Sequence, residues 1–156
     1  MASKYFLSGN LFHSILKHLV NVEEGKKELL EEYFVEPSIE RNELETILDT
    51  YIDQLNEFVR NVQIVEDAGN ELPFVIIGSE VKVQDLDSQE IYHFRIVSPF
   101  EDCGFDDASY LSPVGKALLL KKVGEVAVVK APGGVFQYEI RAISFIHTYA
   151  LDKILN

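Results

Sequence analysis

Between Leu44 and Val62 the apolar residues Leu44, Leu48, Tyr51, Leu55, Phe58 and Val62 recur at spacings of 4-3-4-3-4. This is the seam of a coiled-coil helix. Upstream, Phe12, Ile15, Leu19, Val22, Lys26, Leu29 and Tyr33 repeat the rhythm. Only Lys26, a charge on the seam, and Gly25, which costs about 1 kcal/mol inside a helix, interrupt it. Two seams so close in sequence predict helices that pack on each other. FVEPSIER lies between them, where Pro37 disfavours helix at Glu36 and suits the first turn of the next helix. Residues 1–70 therefore read as an antiparallel helical hairpin, each arm about 25 residues and, at 1.5 Å per residue, about 35 to 40 Å long. Ile47, Ile52 and Val59 widen the apolar face of the second arm beyond a strict seam.

After DAGNELP the period shortens. PFVIIGSEVKVQDL, EIYHFRIVS, VGEVAVVK and GVFQYEIRAISFI are β-branched and aromatic, and they are bounded by Gly, Pro, Asp and Ser. APGG between the last two reads as a hairpin turn. SPVGKALLLK alone breaks the strand pattern. It predicts a Ser112 cap, Pro113 at the first helical position, and a short helix stopping near Gly124. Residues 73–156 thus form a small antiparallel β domain with one short helix across it, and the whole chain is of the α+β class. The closing ALDKILN is too short to assign.

Composition sharpens this picture. The 156 residues are 47% hydrophobic, enough for a real core, and carry 14 basic against 26 acidic side chains for a net charge of −12. Six of the basic but fifteen of the acidic residues fall in the first 72. That sign argues against a protein held mainly by phosphate contacts. Lys17, Lys26 and Lys27 are better placed to pair with the hairpin's acids than to meet RNA, so any nucleic-acid contact is weak or indirect. The single Cys103 excludes an internal disulfide and fits a reducing compartment as a half-buried thiol. MASKYFLSGN has no signal-peptide pattern, and no run of 18 apolar residues occurs, so a soluble cytoplasmic protein with no membrane contact is expected.

Chemistry is sparse. His13, His18, His93 and His147 share no metal-ligand spacing and read as surface or satisfied core histidines. Gly133–Gly134 is a turn rather than a phosphate cradle, and Ser112 and Ser144 lie outside any nucleophile elbow. No catalytic constellation stands in the second domain, and an enzyme is not expected. What remains is a crowd of glutamates (28, 31, 32, 36, 40, 43 and 45) at the far end of the hairpin. Such residues commonly solvate helix faces, and Glu40 would meet a helix dipole. Held on a stiff rod, they would also suit Mg²⁺, which takes one or two protein carboxylates and leaves its other positions to partners.

Two stretches carry a family resemblance. IIGSEVKVQDLDSQEIYHFRIVSP resembles the Gly-Ser-x-Val strand, Asp-Leu-Asp turn and Tyr-x-Arg-Ile-Val strand of the GreA/GreB transcription elongation factors. SPVGKALLLKKVGEVAVVKAPGGVFQYEI resembles their Ser-Pro-x-x-x-Ala-Leu-Leu helix, Val-Gly turn and Pro-Gly-Gly hairpin. About 70 residues match in order and spacing. The resemblance implies an FKBP-like second domain without isomerase activity, docked on the rim of the secondary channel of RNA polymerase. It also implies a hairpin that enters the channel, whose tip acids help hold a Mg²⁺ shared with the polymerase while the polymerase cleaves backtracked RNA.

Carried over residue by residue, the resemblance makes Ser112, Pro113 and Lys116 the docking residues, although Leu111 stands where relatives often place a polar or acidic residue. At the tip the family's Asp-x-x-Glu pair falls on Leu30 and Tyr33. The neighbouring Glu31, Glu32 and Glu36 are the candidate metal ligands, with Glu32 and Glu36 one turn apart if helical. The first arm is also about a turn or two shorter than is usual. Stimulated RNA cleavage and a non-cleaving, Rnk-like or anti-cleavage role therefore both stay open. A reading from another class, an FKBP-like isomerase or holdase, is disfavoured because the hairpin's apolar residues fit a self-packed seam.

Overall fold

The computed structural model describes residues 5–34, 36–66, 71–99 and 106–145. The chain divides into two units, residues 1–69 with 151–156, and residues 70–150. Cys103, His147 and the closing ALDKILN lie outside the described residues.

The first unit is built on two helices, α1 (Gly9–Tyr33) and α2 (Ile39–Asn61). Both begin on a serine cap: Ser8 Oγ accepts from the Leu11 amide at 3.1 Å, and Ser38 Oγ from the Arg41 amide at 3.0 Å. Each satisfies one of the amides that a helix start leaves without a partner. Glu40 lies in the first turn of α2 and Arg60 in its last, both favourable to the helix dipole. Cross-helix contacts of His18 with Tyr51, of Lys26 with Asp49 and of Leu30 with Arg41 run in opposite sequence directions, as an antiparallel hairpin requires. Lys26, the charge on the first seam, forms its ion pair across the hairpin with Asp49.

The seam of α2 is as expected, with Leu44, Leu48, Tyr51, Leu55 and Phe58 all buried. The seam of α1 is shifted. Leu11 and Leu30 are buried where Phe12 and Leu29 were expected, and Ser14 and His18 share the buried stripe. The face that a helix buries is broader than an a/d line, and hydropathy discounts a polar residue whose partner it cannot see. Pro37 also sits differently from expectation, one residue ahead of the Ser38 cap rather than in the first turn. The serine oxygen, which can accept an orphan amide, sets the helix start. Glu36 therefore lies beyond both helices, and Glu32 and Glu36 are not one helical turn apart. Two short parallel strands, β1 (Phe6–Leu7) and β2 (Gln63–Ile64), join the chain just before α1 to the chain just after α2. Two residues are too few to show a period, so neither strand is visible in the sequence.

The second unit holds one sheet of β3 (Ser79–Asp85), β4 (Ile91–Val97), β5 (Asp107–Ser109), β6 (Val126–Ala131) and β7 (Gly134–Phe145). Its order is β5-β4-β3-β7-β6. All neighbours are antiparallel except β4 and β5, which run parallel. β5 is a difference from the antiparallel domain expected, and at three residues it has no pattern to read. β6 and β7 meet in a two-residue turn at Pro132–Gly133, with Gly134 at φ 136°, where a side chain would be strained. Register between β3 and β7 shifts between Lys82 and Val83, so that Arg141 is an extra residue on β7. This bulge moves the buried positions from Tyr138 and Ile140 to Ile143 and Phe145, a step of three that keeps both halves of one strand facing the core. The short helix α3 (Pro113–Leu118) packs against β5 and β6.

Candidate functional site

The segment from Ser109 to Leu118 is held by a dense set of local bonds. Ser112 Oγ donates to the Ser109 carbonyl at 2.6 Å and accepts from the Gly115 amide at 3.1 Å. Ser109 Oγ accepts from the Leu111 amide at 3.0 Å. Pro113 occupies the first turn of α3, where the amide it lacks would have had no helical partner. The result is a helix start fixed from both sides. The serine of the Ser-Pro pair is thus occupied in building the segment, while Pro113 and Lys116, three residues apart on α3, are exposed. The structure brings Ser112, Pro113 and Lys116 together on one turn.

α3 ends at Leu118, well before the expected stop at Gly124. The Leu120 amide donates to the Val75 carbonyl at 2.8 Å and the Val75 amide to the Lys121 carbonyl at 2.9 Å, so the backbone leaves the helix to bond with the chain that leads into β3. Leu120 takes φ 68° in doing so.

Sequence reasoning missed Gly115. A Cβ built there would lie 1.8 Å from the Ser109 carbonyl oxygen and 2.9 Å from Tyr110 Cα. No side chain fits, since both obstacles are backbone. A glycine inside a helix of six residues was the available signal, because glycine in that position costs stability unless something must approach closely.

The tip of the hairpin is organised by Arg41. Its Nη1 donates to the Leu30 carbonyl at 3.1 Å and also to the Phe34 carbonyl, so a side chain from α2 satisfies the last carbonyls of α1. Glu31 is exposed on the last turn of α1, 4.0 Å from Lys27. Glu32 is exposed beside it, and Glu36 is exposed in the connection. Adjacent residues such as Glu31 and Glu32 do not share a helix face. Leu30, only 6% exposed, is part of the hairpin core. Among the described residues no group of three or more His, Cys, Asp or Glu is placed to hold a metal ion. Glu31, Glu32 and Glu36 therefore do not fit a Mg²⁺ site made by this chain alone. His18 and Tyr51 are hydrogen-bonded inside the hairpin, so of the two readings left open for each histidine, surface or satisfied core, His18 takes the second.

Residues 70–145 match the family model described as the carboxyl-terminal domain of the GreA/GreB transcription elongation factors. The chain is 41% identical over 93 residues to the GreA of Thermotoga petrophila, covering 59% of each protein. It is 36% identical over 104 residues to the GreA of Thermodesulfovibrio yellowstonii, covering 66% of each. These alignments span about three fifths to two thirds of the relatives' length. The solved GreA/GreB factor of Nitrosomonas europaea matches with a TM-score of 0.54 at 24% identity, over 91% of this chain and all of that one, a likeness of fold. No helix among the described residues is long and apolar enough to cross a membrane.

Proposed function

We propose that the chain, whose residues 70–145 match the GreA/GreB family model, is a transcription elongation factor of that type that binds RNA polymerase at the rim of the secondary channel and regulates elongation from there. The family match of the second unit carries this reading. It is supported by the rigid Ser112–Pro113 turn, which presents Pro113 and Lys116 on an exposed helix face. The chain is then a ligand of an enzyme rather than an enzyme. Its acidic hairpin suits entry into a channel whose chemistry depends on metal and phosphate, with no strong nucleic-acid contact of its own.

One observation favours a factor that does not stimulate RNA cleavage. The tip position where the family's first acid would fall is Leu30, a core residue, and Glu31, Glu32 and Glu36 are not gathered on one face. The isomerase or holdase reading is further disfavoured because the apolar seam of the hairpin is buried against itself. A transcript-cleavage assay on backtracked polymerase, with and without a competing GreA, tests both parts. Binding without cleavage and inhibition of GreA are expected. Efficient cleavage would overturn the non-cleaving reading, and a lack of binding would overturn polymerase docking itself.

A further inference from the structure

On the second unit, four aromatic rings form a continuous platform on one face of the sheet. Tyr92 and Phe94 stand on β4 and Phe136 and Tyr138 on β7, with β3 between them. The Tyr92 and Phe94 ring centroids are 6.3 Å apart, Tyr138 lies 5.9 Å from each, and Phe136 stacks on Tyr138 at 6.2 Å. They meet across β3 because the β3 residues beneath them, Val83 opposite Tyr92 and Asp85 opposite Tyr138, are small. Tyr138 is buried, Phe94 and Phe136 are half-buried, and Tyr92 is 37% exposed. At its outer edge the platform is therefore open.

Its electrostatics are one-sided. Glu90 Oε2 accepts from the Tyr92 hydroxyl at 2.6 Å. Asp85 Oδ1 accepts from the amides of Asp87 at 2.8 Å and Ser88 at 3.2 Å. The hydrogen bond to Glu90 first, with burial and nearby negative charge after it, raises the Tyr92 hydroxyl above its ordinary value. Burial and the Asp85 charge raise Tyr138. The cations of these strands lie on the other face, where Arg95 pairs with Asp107 and Arg141 with Glu139. Aromatic faces are themselves electron-rich, so rings and carboxylates attract the same kind of group.

We propose that Tyr92, Phe94, Phe136 and Tyr138, with Glu90 at the rim, form a docking surface for a basic segment of a partner protein, an arginine or lysine stem lying on the rings with its charge toward Glu90. Charge complementarity selects this occupant. A nucleic-acid strand would stack its bases on such rings but would bring phosphates toward Glu90 and Asp85 on a chain of net charge −12. The surface is separate in sequence from the Ser112–Lys116 turn, so the proposal stands independently of polymerase docking through α3.

The test is a titration of the isotope-labelled full chain with a capped hexa-arginine peptide and, separately, with an eight-nucleotide oligouridine, followed by amide and ring NMR shifts. Saturable shifts of the four rings with the peptide are expected. Tyr92→Leu and Glu90→Gln, both at exposed side chains and checked for an unchanged fold by their spectra, should each weaken that binding about two- to five-fold. Peptide shifts confined to the acidic helices, equal affinity of Tyr92→Leu and the unaltered chain, or stronger ring shifts with oligouridine would each overturn it.

Discussion

His18 Nε2 lies 2.7 Å from the Tyr51 hydroxyl, edge-on between α1 and α2 with both side chains buried. The bond gives a polar side chain its partner within an otherwise apolar seam. Burial in that seam disfavours the charged imidazole and lowers the His18 pKa from 6.5 to about 4.

Stability should follow from that shift. Above pH 6.5 neither folded nor unfolded His18 is protonated, and its contribution is fully present. As pH falls from 6.5 to about 4 the unfolded chain binds the proton first, so stability declines by roughly 3 kcal/mol, and below about 4 this group takes no more. Denaturant melts of the unaltered chain and of His18→Leu between pH 7.5 and 4 check this, since the difference between them isolates the imidazole from the carboxylates. A difference that does not change with pH would contradict it. Tyr51→Phe, which leaves the buried nitrogen without its partner, should cost about 1 to 3 kcal/mol at pH 7.5.

Gly115→Ala should destabilise the second unit far more than an ordinary glycine-to-alanine change in a helix, which is usually stabilising. With the new Cβ 1.8 Å from the Ser109 oxygen, either α3 or β5 must move. A loss above about 3 kcal/mol, or an unfolded second unit by NMR, is expected. Unchanged melting would mean that the close approach is not there.

Ser112→Ala and Lys116→Glu should separate building from binding. The first removes an N-cap and should cost about 0.5 to 2 kcal/mol of stability. The second leaves the helix intact and should weaken polymerase binding at low salt with little change in stability. Equal stability losses in both would place Lys116 in the scaffold.

At the tip, replacing Glu31, Glu32 and Glu36 together with Ala should leave polymerase affinity within a few-fold and produce no loss of cleavage stimulation, since none is expected to be lost. Folding is also expected to be unaffected, because all three are exposed. A cleavage activity that the unaltered chain shows and the triple variant lacks would establish these carboxylates as metal ligands after all.

Much of this was legible in sequence because the periods were long. The α2 seam runs for nearly three heptads, and the strands around GSEVKVQD and EVAVVKAPGGVFQYEI alternate cleanly between a serine-, glycine- or proline-marked start and turn. The features that were not legible depend on through-space partners. Tyr51 makes His18 a core residue, the Ser109 carbonyl makes Gly115 obligatory, and Arg141, an extra residue in the register, shifts the face of β7. None of these contacts leaves a period. The proposed docking residues were visible as a Ser-Pro helix start, but that Ser112 holds the turn while Pro113 and Lys116 face outward follows only from the hydrogen bonds and burial. At the tip, the acids were countable in sequence, whereas their dispersal follows from where α1 stops and Ser38 begins the next helix.

The most direct measurement is displacement of a fluorescent GreA from RNA polymerase by this chain, read as anisotropy, with Lys116→Glu alongside. Full displacement by the unaltered chain, and a weaker effect from the variant, is the result expected of a factor that shares the GreA/GreB docking site. Polymerase that binds labelled GreA undisturbed at a large excess of this chain would contradict the account.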